Sequence, residues 1–180
     1  MNIKWHNQRC HRSRNQLFNA PDFINLRDYI DPPLDGILKC RITYDENISN
    51  IDYEPYTLKT INTLKAIHCD LEYSFKYADR ESILNLYNQR GNCDDILMIK
   101  DGFLTDTSYG NIALLRNQKW YTPDTPMLEG TRRASLLHTD RIKSWPISFK
   151  DIHLYSHLSI FNAMIPFGEI IIPVEGISVD

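Results

Sequence analysis

Asp101-Gly102 stands between two apolar runs, Asp95 to Lys100 and Phe103 to Thr105, and this arrangement constrains the fold more than any other local feature. A two-residue loop of this kind needs positive φ at its centre. Asp tolerates that conformation, Gly adopts it at no steric cost, and the resulting twist matches that of paired antiparallel strands. The pair therefore predicts a hairpin in the second half of the chain. Ile112 to Arg116 and Trp120 to Thr122 continue the sheet, and Leu158 to Ile165 and Glu169 to Val174 read as further apolar strands.

The first half reads differently. Asn7 to Phe18 is polar and basic with Cys10, Leu17 and Phe18 as apolar points, and is predicted helical, closed by Pro21. Phe23 to Ile30 predicts a short second helix stopped by Pro32-Pro33. Gly36 to Tyr44 and Ile48 to Tyr56 alternate in part and form a predicted hairpin around Asp45-Glu46-Asn47. Thr57 to Asp70 carries no clear period and is read as the crossing between two lobes. Asp79 to Arg90 predicts a helix with Asp79 as N-cap and Gly91 as its stop. Thr131 to Asp140 predicts another, and Ser148 is expected to cap a short one running to Tyr155. The class is α+β, with a small N-terminal α/β lobe over residues 1–71 and a larger strand-rich lobe over 72–180.

With 20 basic against 23 acidic residues, the net charge of −3 disfavours a surface that tracks nucleic-acid phosphates. Cys10, Cys40, Cys69 and Cys93 lie far apart with no CxxC pair, which argues against a zinc site or a disulfide framework. His153 and His157 have helical spacing but no third ligand at a recognisable interval, so no metal is expected. No run of 18 apolar residues or cleavable leader pattern is present, and the chain reads as a reduced, cytoplasmic protein.

Four blocks follow one another at compatible spacings: His6-Asn7-Gln8-Arg9, an H-x-x-R pattern; Lys76 in Ser74-Phe75-Lys76-Tyr77; Asp106-Thr107-Ser108-Tyr109-Gly110-Asn111; and Gly130-Thr131-Arg132-Arg133. In this order they resemble the class IV aminotransferase family, the fold type IV enzymes of pyridoxal 5′-phosphate (PLP). Phe161-Asn162-Ala163-Met164 is most similar to the 4-amino-4-deoxychorismate lyase branch. The resemblance implies a cofactor cleft between the two lobes, a homodimer, and a small amino-acid or aminodeoxychorismate-like substrate.

Residue by residue, the resemblance makes Lys76 the catalytic Schiff-base lysine and proton carrier. It makes Asp106 the acid facing the pyridine nitrogen, one methylene shorter than the family's usual Glu, and Arg9 a phosphate ligand. Arg12 and Arg14 read as exposed helix arginines. Thr131 and Arg132 resemble the turn whose backbone N–H groups hold the phosphate, with Arg132 standing where the family more often has Thr. Ser108 and Asn111, and Asn162 and Ala163 at a strand-end wall, complete the implied cofactor-binding set. Tyr109 is larger than the family's usual residue, and Arg133 matches its arginine after the turn.

The family's first strand, which precedes H-x-x-R, has no room before Trp5, so the residues for the substrate carboxylate are not placed. Three functions follow. Amino-group transfer on an amino acid is put first. The second is lyase chemistry, converting aminodeoxychorismate to 4-aminobenzoate and pyruvate. The third is a non-catalytic PLP-binding homologue.

Overall fold

The structure, a computed structural model, describes residues 2–33 and 35–178. It divides into two compact units, Met1–Lys59 and Thr60–Asp180.

The first unit opens with helix α1 (Ile3–Phe18), which ends at Asn19 in the left-handed conformation. A 3-10 turn follows at Leu26–Tyr29, where a longer helix was predicted. β1 (Leu38–Tyr44) and β2 (Ile48–Pro55) then pair antiparallel, as the alternation predicts. Arg14 departs from its expected exposure. It is 1% exposed, and its guanidinium donates to Asp22 O at 2.7 Å, to the Asp22 carboxylate at 3.0 Å and to Glu46 O. Three chain segments converge on one fork of donors, which a lysine point charge would not bind in the same way. Asn7, also buried, caps the 3-10 turn by accepting from Leu26 N at 3.0 Å and donating to Asn25 at 3.0 Å.

The second unit is built on one sheet. β3 (Leu64–His68), inside the segment without a clear period, lies parallel to β4 (Asp95–Lys100). The sequence boundary after Leu71 therefore differs from the structural division, because β3 hydrogen-bonds into the larger sheet. Between these strands lie α2 (Glu81–Tyr87) and a 3-10 turn ending at Gly91, whose φ is 60°. Asp79 Oδ1 accepts from Glu81 N at 2.9 Å, so the carboxylate does serve the helix start although Arg80 is the capping position.

β4 turns into β5 (Phe103–Thr107) through Asp101 and Gly102, with φ of 52° and 82°. β6 (Asn111–Arg116), β7 (Lys119–Pro123), α3 (Thr131–His138), β8 (Lys143–Trp145), β9 (His157–Phe161), β10 (Ile170–Pro173) and β11 (Ile177–Ser178) complete it. Ser148 precedes a 3-10 turn, Phe149–Leu154, without a side-chain capping bond. The strand order is β10-β9-β6-β5-β4-β3-β11, with β7 and β8 extending from β6.

β5 and β6 meet at a single register pair, Asp106 with Asn111. β6 pairs with β9 from Asn111 to Leu115 and with β7 from Leu114 to Arg116. α2 packs through Leu86 on Ile67, Ile96 and Met98, and α3 packs through Leu136 on Ala113 and Phe161. Burying side chains of this size stabilises by about 1.5–3 kcal/mol each, and here it fixes the start of α3 against the β5–β6 seam. All four cysteines are free thiols, and no described helix is long and apolar enough to cross a membrane.

Candidate active site

Asp106 occupies the seam with its carboxylate 4% exposed. Oδ1 accepts from Asn111 Nδ2 at 2.7 Å, and Oδ2 accepts from the Leu128 backbone N–H at 2.9 Å. The Asn111 amide also donates to Leu128 O at 2.8 Å. Burial pushes the Asp106 pKa up to about 6, against the pull of the Leu128 N–H, the Asn111 amide and the Arg133 guanidinium. A carboxylate in this position has neutral donors and a remote cation, and gains most from a cation placed beside it.

Leu128 leads directly to Gly130 and the start of α3. No acidic residue lies in the first turn of that helix, and no side chain caps it. The positive end of the helix dipole lies at this start, where the leading N–H groups have no acceptor within the helix itself. Thr131 is buried there. A Cβ at Gly130 would lie 1.9 Å from Asn111 Oδ1, so only glycine lets the helix start approach the amide that holds Asp106. Gly130→Ala is expected to push the Asn111 amide off the carboxylate and to destabilise the protein by about 1–3 kcal/mol, the cost of leaving buried polar groups unmatched. Urea unfolding of the two proteins checks this; an unchanged midpoint would show that the amide does not need this gap.

Arg132 points the other way. Its Nε donates to Asn162 O at 3.3 Å and its Nη2 to Ala163 O at 3.4 Å. Asn162 is itself fully engaged: Oδ1 accepts from Met164 N at 2.8 Å and Ile165 N at 2.9 Å, and Nδ2 donates to Tyr109 O at 3.1 Å. Asp106, Asn111, the Thr131-Arg132 helix start, and Asn162 with Ala163 thus form one connected group. The Ser108 carbonyl instead accepts from Arg80 Nη2 at 2.5 Å.

Lys76 lies on the exposed stretch between β3 and α2. Tyr73, buried below it, donates from its hydroxyl to Tyr77 O at 3.3 Å, and the rings of Phe75 and Tyr77 lie 6.1 Å apart edge to face. An open cavity of about 510 Å³ beside this stretch is walled by Tyr73, Tyr77, Asp79, Glu81 and Asn85, and is lined by neither Lys76 nor Asp106. Arg80, four residues after Lys76, ties the stretch to the Ser108 turn. Arg9 sits on α1 in the first unit, where burial lowers its pKa against the opposing influence of Tyr44. Arg133 is buried and donates to Pro123 O at 2.7 Å and Thr122 Oγ1 at 3.3 Å, which anchors α3 to β7.

Two participants carry no signal that singles them out in the sequence. Leu128 acts through its backbone alone. Asp95 on β4 is 0% exposed, and burial raises its pKa against the Ser108 hydroxyl and the Ile96 N–H. An apolar run flanking an acid looks like an ordinary strand start, so Asp95 does not stand out.

The amino-transferase class IV family model matches residues 55–171. An uncharacterized protein of Haemophilus influenzae is 40% identical over 169 residues, covering 91% of this chain and 90% of that one. The crystal structure of a candidate 4-amino-4-deoxychorismate lyase from Haemophilus somnus is 35% identical, with a TM-score of 0.85 over 91% of this chain and 89% of that one. A candidate amino-acid aminotransferase from Mesorhizobium loti shares the fold at 16% identity and a TM-score of 0.72, covering 100% and 92%. With the acid at the strand seam, the uncapped helix start and the turn at Asn162 brought together, and with these similarities over most of its length, the chain belongs to the class IV aminotransferase family of fold type IV PLP enzymes.

Proposed function

We propose that the chain is a PLP-dependent lyase that releases pyruvate from 4-amino-4-deoxychorismate to leave 4-aminobenzoate. The observation that carries this reading is the 35% identity to the candidate lyase over nearly the whole of both chains. The sequence alone ranked amino-group transfer first; the comparisons favour the lyase, since the aminotransferase similarity is one of fold at 16% identity. The resemblance of Phe161-Asn162-Ala163-Met164 to the lyase branch points the same way.

The residues present fit PLP. Asp106 is a buried acid suited to a protonated ring nitrogen, and the N–H groups at Thr131 and Arg132 suit a phosphate. Arg9 and Ser108 belong to the same proposed binding set. When bound, PLP supplies the electron sink for charge developing on the amine-bearing carbon. Asp106 keeps its charge beside the ring nitrogen and so favours that nitrogen's protonated form. Lys76 would hold the cofactor through its amine and, once free, would serve as the base for the proton on the carbon that carries the substrate amine. The adjacent carbon then loses enolpyruvate, which becomes pyruvate, and the ring is left aromatic. Substrate and the two products balance with no added oxidant or reductant.

The test supplies the holoprotein with 4-amino-4-deoxychorismate, and separately with a panel of amino acids and 2-oxoglutarate. Pyruvate release in the first and no keto-acid exchange in the second is the expected result, with a dimeric sedimentation mass. Exchange without pyruvate would return amino-group transfer to first place.

A further inference from the structure

The structure assigns a second task to Arg132: we infer that its guanidinium binds the carboxylate of an anionic substrate and so selects for one. This deepens the proposed function and rests on it for the position of the substrate.

The argument starts from what a side chain at the second position of α3 has to do. Only the backbone of that residue is needed at a helix start that holds an anion, and a small residue would serve. This chain instead carries an arginine, the side chain that presents a planar fork of five N–H donors and keeps its charge at any working pH. A solvated arginine would extend away from the protein. This one folds across from α3 to the end of β9, where the carbonyls of Asn162 and Ala163 take Nε and Nη2. Two neutral carbonyls orient the guanidinium without neutralising it, and no carboxylate of the described residues pairs with it. The carbonyls that hold it are themselves fixed, since Asn162 binds Met164 N, Ile165 N and Tyr109 O at once.

The result is a positive charge with locked direction, beside the helix start and the Tyr109 turn, with Nη1 making no hydrogen bond among the described residues. A carboxylate is the partner whose two oxygens match such a fork, and a charge-assisted pair of this kind is strong. The phosphate of the cofactor has the same chemistry, and the experiment separates the two.

The experiment uses holoprotein and two amines that carry no hydrogen on the amine-bearing carbon and differ by one carboxylate, 4-aminobenzoate and aniline, with calorimetric binding as the readout. The wild type is expected to prefer 4-aminobenzoate. Arg132→Gln should weaken 4-aminobenzoate about 10- to 100-fold, the loss of one hydrogen bond to a charged group, and leave aniline binding unchanged. Arg132→Lys should recover part of the difference. A merely structural arginine would weaken both ligands together, which overturns the inference. So would a wild type with no preference for the carboxylate, or a variant whose loss is in PLP retention. Carboxylate preference that depends on Arg132 in a protein releasing no pyruvate would sustain this inference and remove the lyase reading.

Discussion

Lys76→Ala is expected to abolish covalent retention of PLP and to lower turnover by roughly 10²–10⁴-fold or more, the loss expected when a positioned proton carrier is removed. The fold should survive, because Lys76 is exposed on the stretch between β3 and α2 rather than part of either. Borohydride treatment of the holoprotein followed by peptide mapping is the measurement. In the wild type the label should fall on the peptide containing Lys76, and in the variant there should be none. Lys100 is the informative control. Its amine pairs with Glu72, and that hydrogen bond raises its pKa above the ordinary lysine value. Lys65 is held in β3, where it pairs across to Ile96 and Ser178. A label on either would remove the assignment of roles to Lys76 and to every residue aligned with it.

Asp106→Asn is expected to have the second largest effect, and it reads out in two ways. Turnover should fall on the order of 10²-fold, because a preorganised charge at the reacting group is replaced by a neutral amide. The second readout needs no cofactor. In the folded apoprotein burial raises the Asp106 pKa from its ordinary 3.8 to about 6. The folded state therefore holds this proton at pH values where the unfolded chain has released it. The protonated acid favours folding most below about pH 4, and that contribution is lost as pH rises through 6. The interval corresponds to about 3 kcal/mol. Wild-type apoprotein should lose stability across this window, and Asp106→Asn should flatten the loss. The amide cannot accept from both Leu128 N and Asn111 Nδ2, so the variant is not expected to gain the full amount at neutral pH. Urea midpoints at pH 4, 5, 6 and 7 measure both lines; parallel slopes would show that the carboxyl is not the titrating group.

Local chemistry made the antiparallel parts of the fold legible. Asp101-Gly102 needed positive φ and obtained it, and Asp45-Glu46-Asn47 joined the first hairpin as its flanking alternation required. β3 was not legible for a physical reason. Leu64, Ala66 and Ile67 are all buried, so its pattern does not alternate, and its partners β4 and β11 are parallel strands brought from elsewhere in the chain. β8 and β11, three and two residues long, are too short to carry a period at all.

The same division runs through the site. The family resemblance pointed to Asp106, Asn111, Thr131 and Asn162, and the structure places them near one another along one chain of bonds. The bonds among them were not legible, because most end on backbone atoms: Leu128 N and O, Tyr109 O, Asn162 O and Ala163 O. Every residue has those atoms, so no letter in the sequence announces them. Arg14 shows the point in the first unit, where a polar-looking helix hid a buried guanidinium whose partners include two carbonyls.

The two side chains at the seam treat Leu128 as an adjoining strand would. One receives its N–H and the other gives to its C=O, so a missing rung of the ladder is rebuilt from a carboxylate and an amide. In the proposed binding set, the acid that would face one end of the cofactor is thereby also the peg that sets the cradle for the other end. On that reading, retuning the proton affinity at one pole would also move the anchor at the opposite pole, and a change of cofactor grip would have to be made at both together.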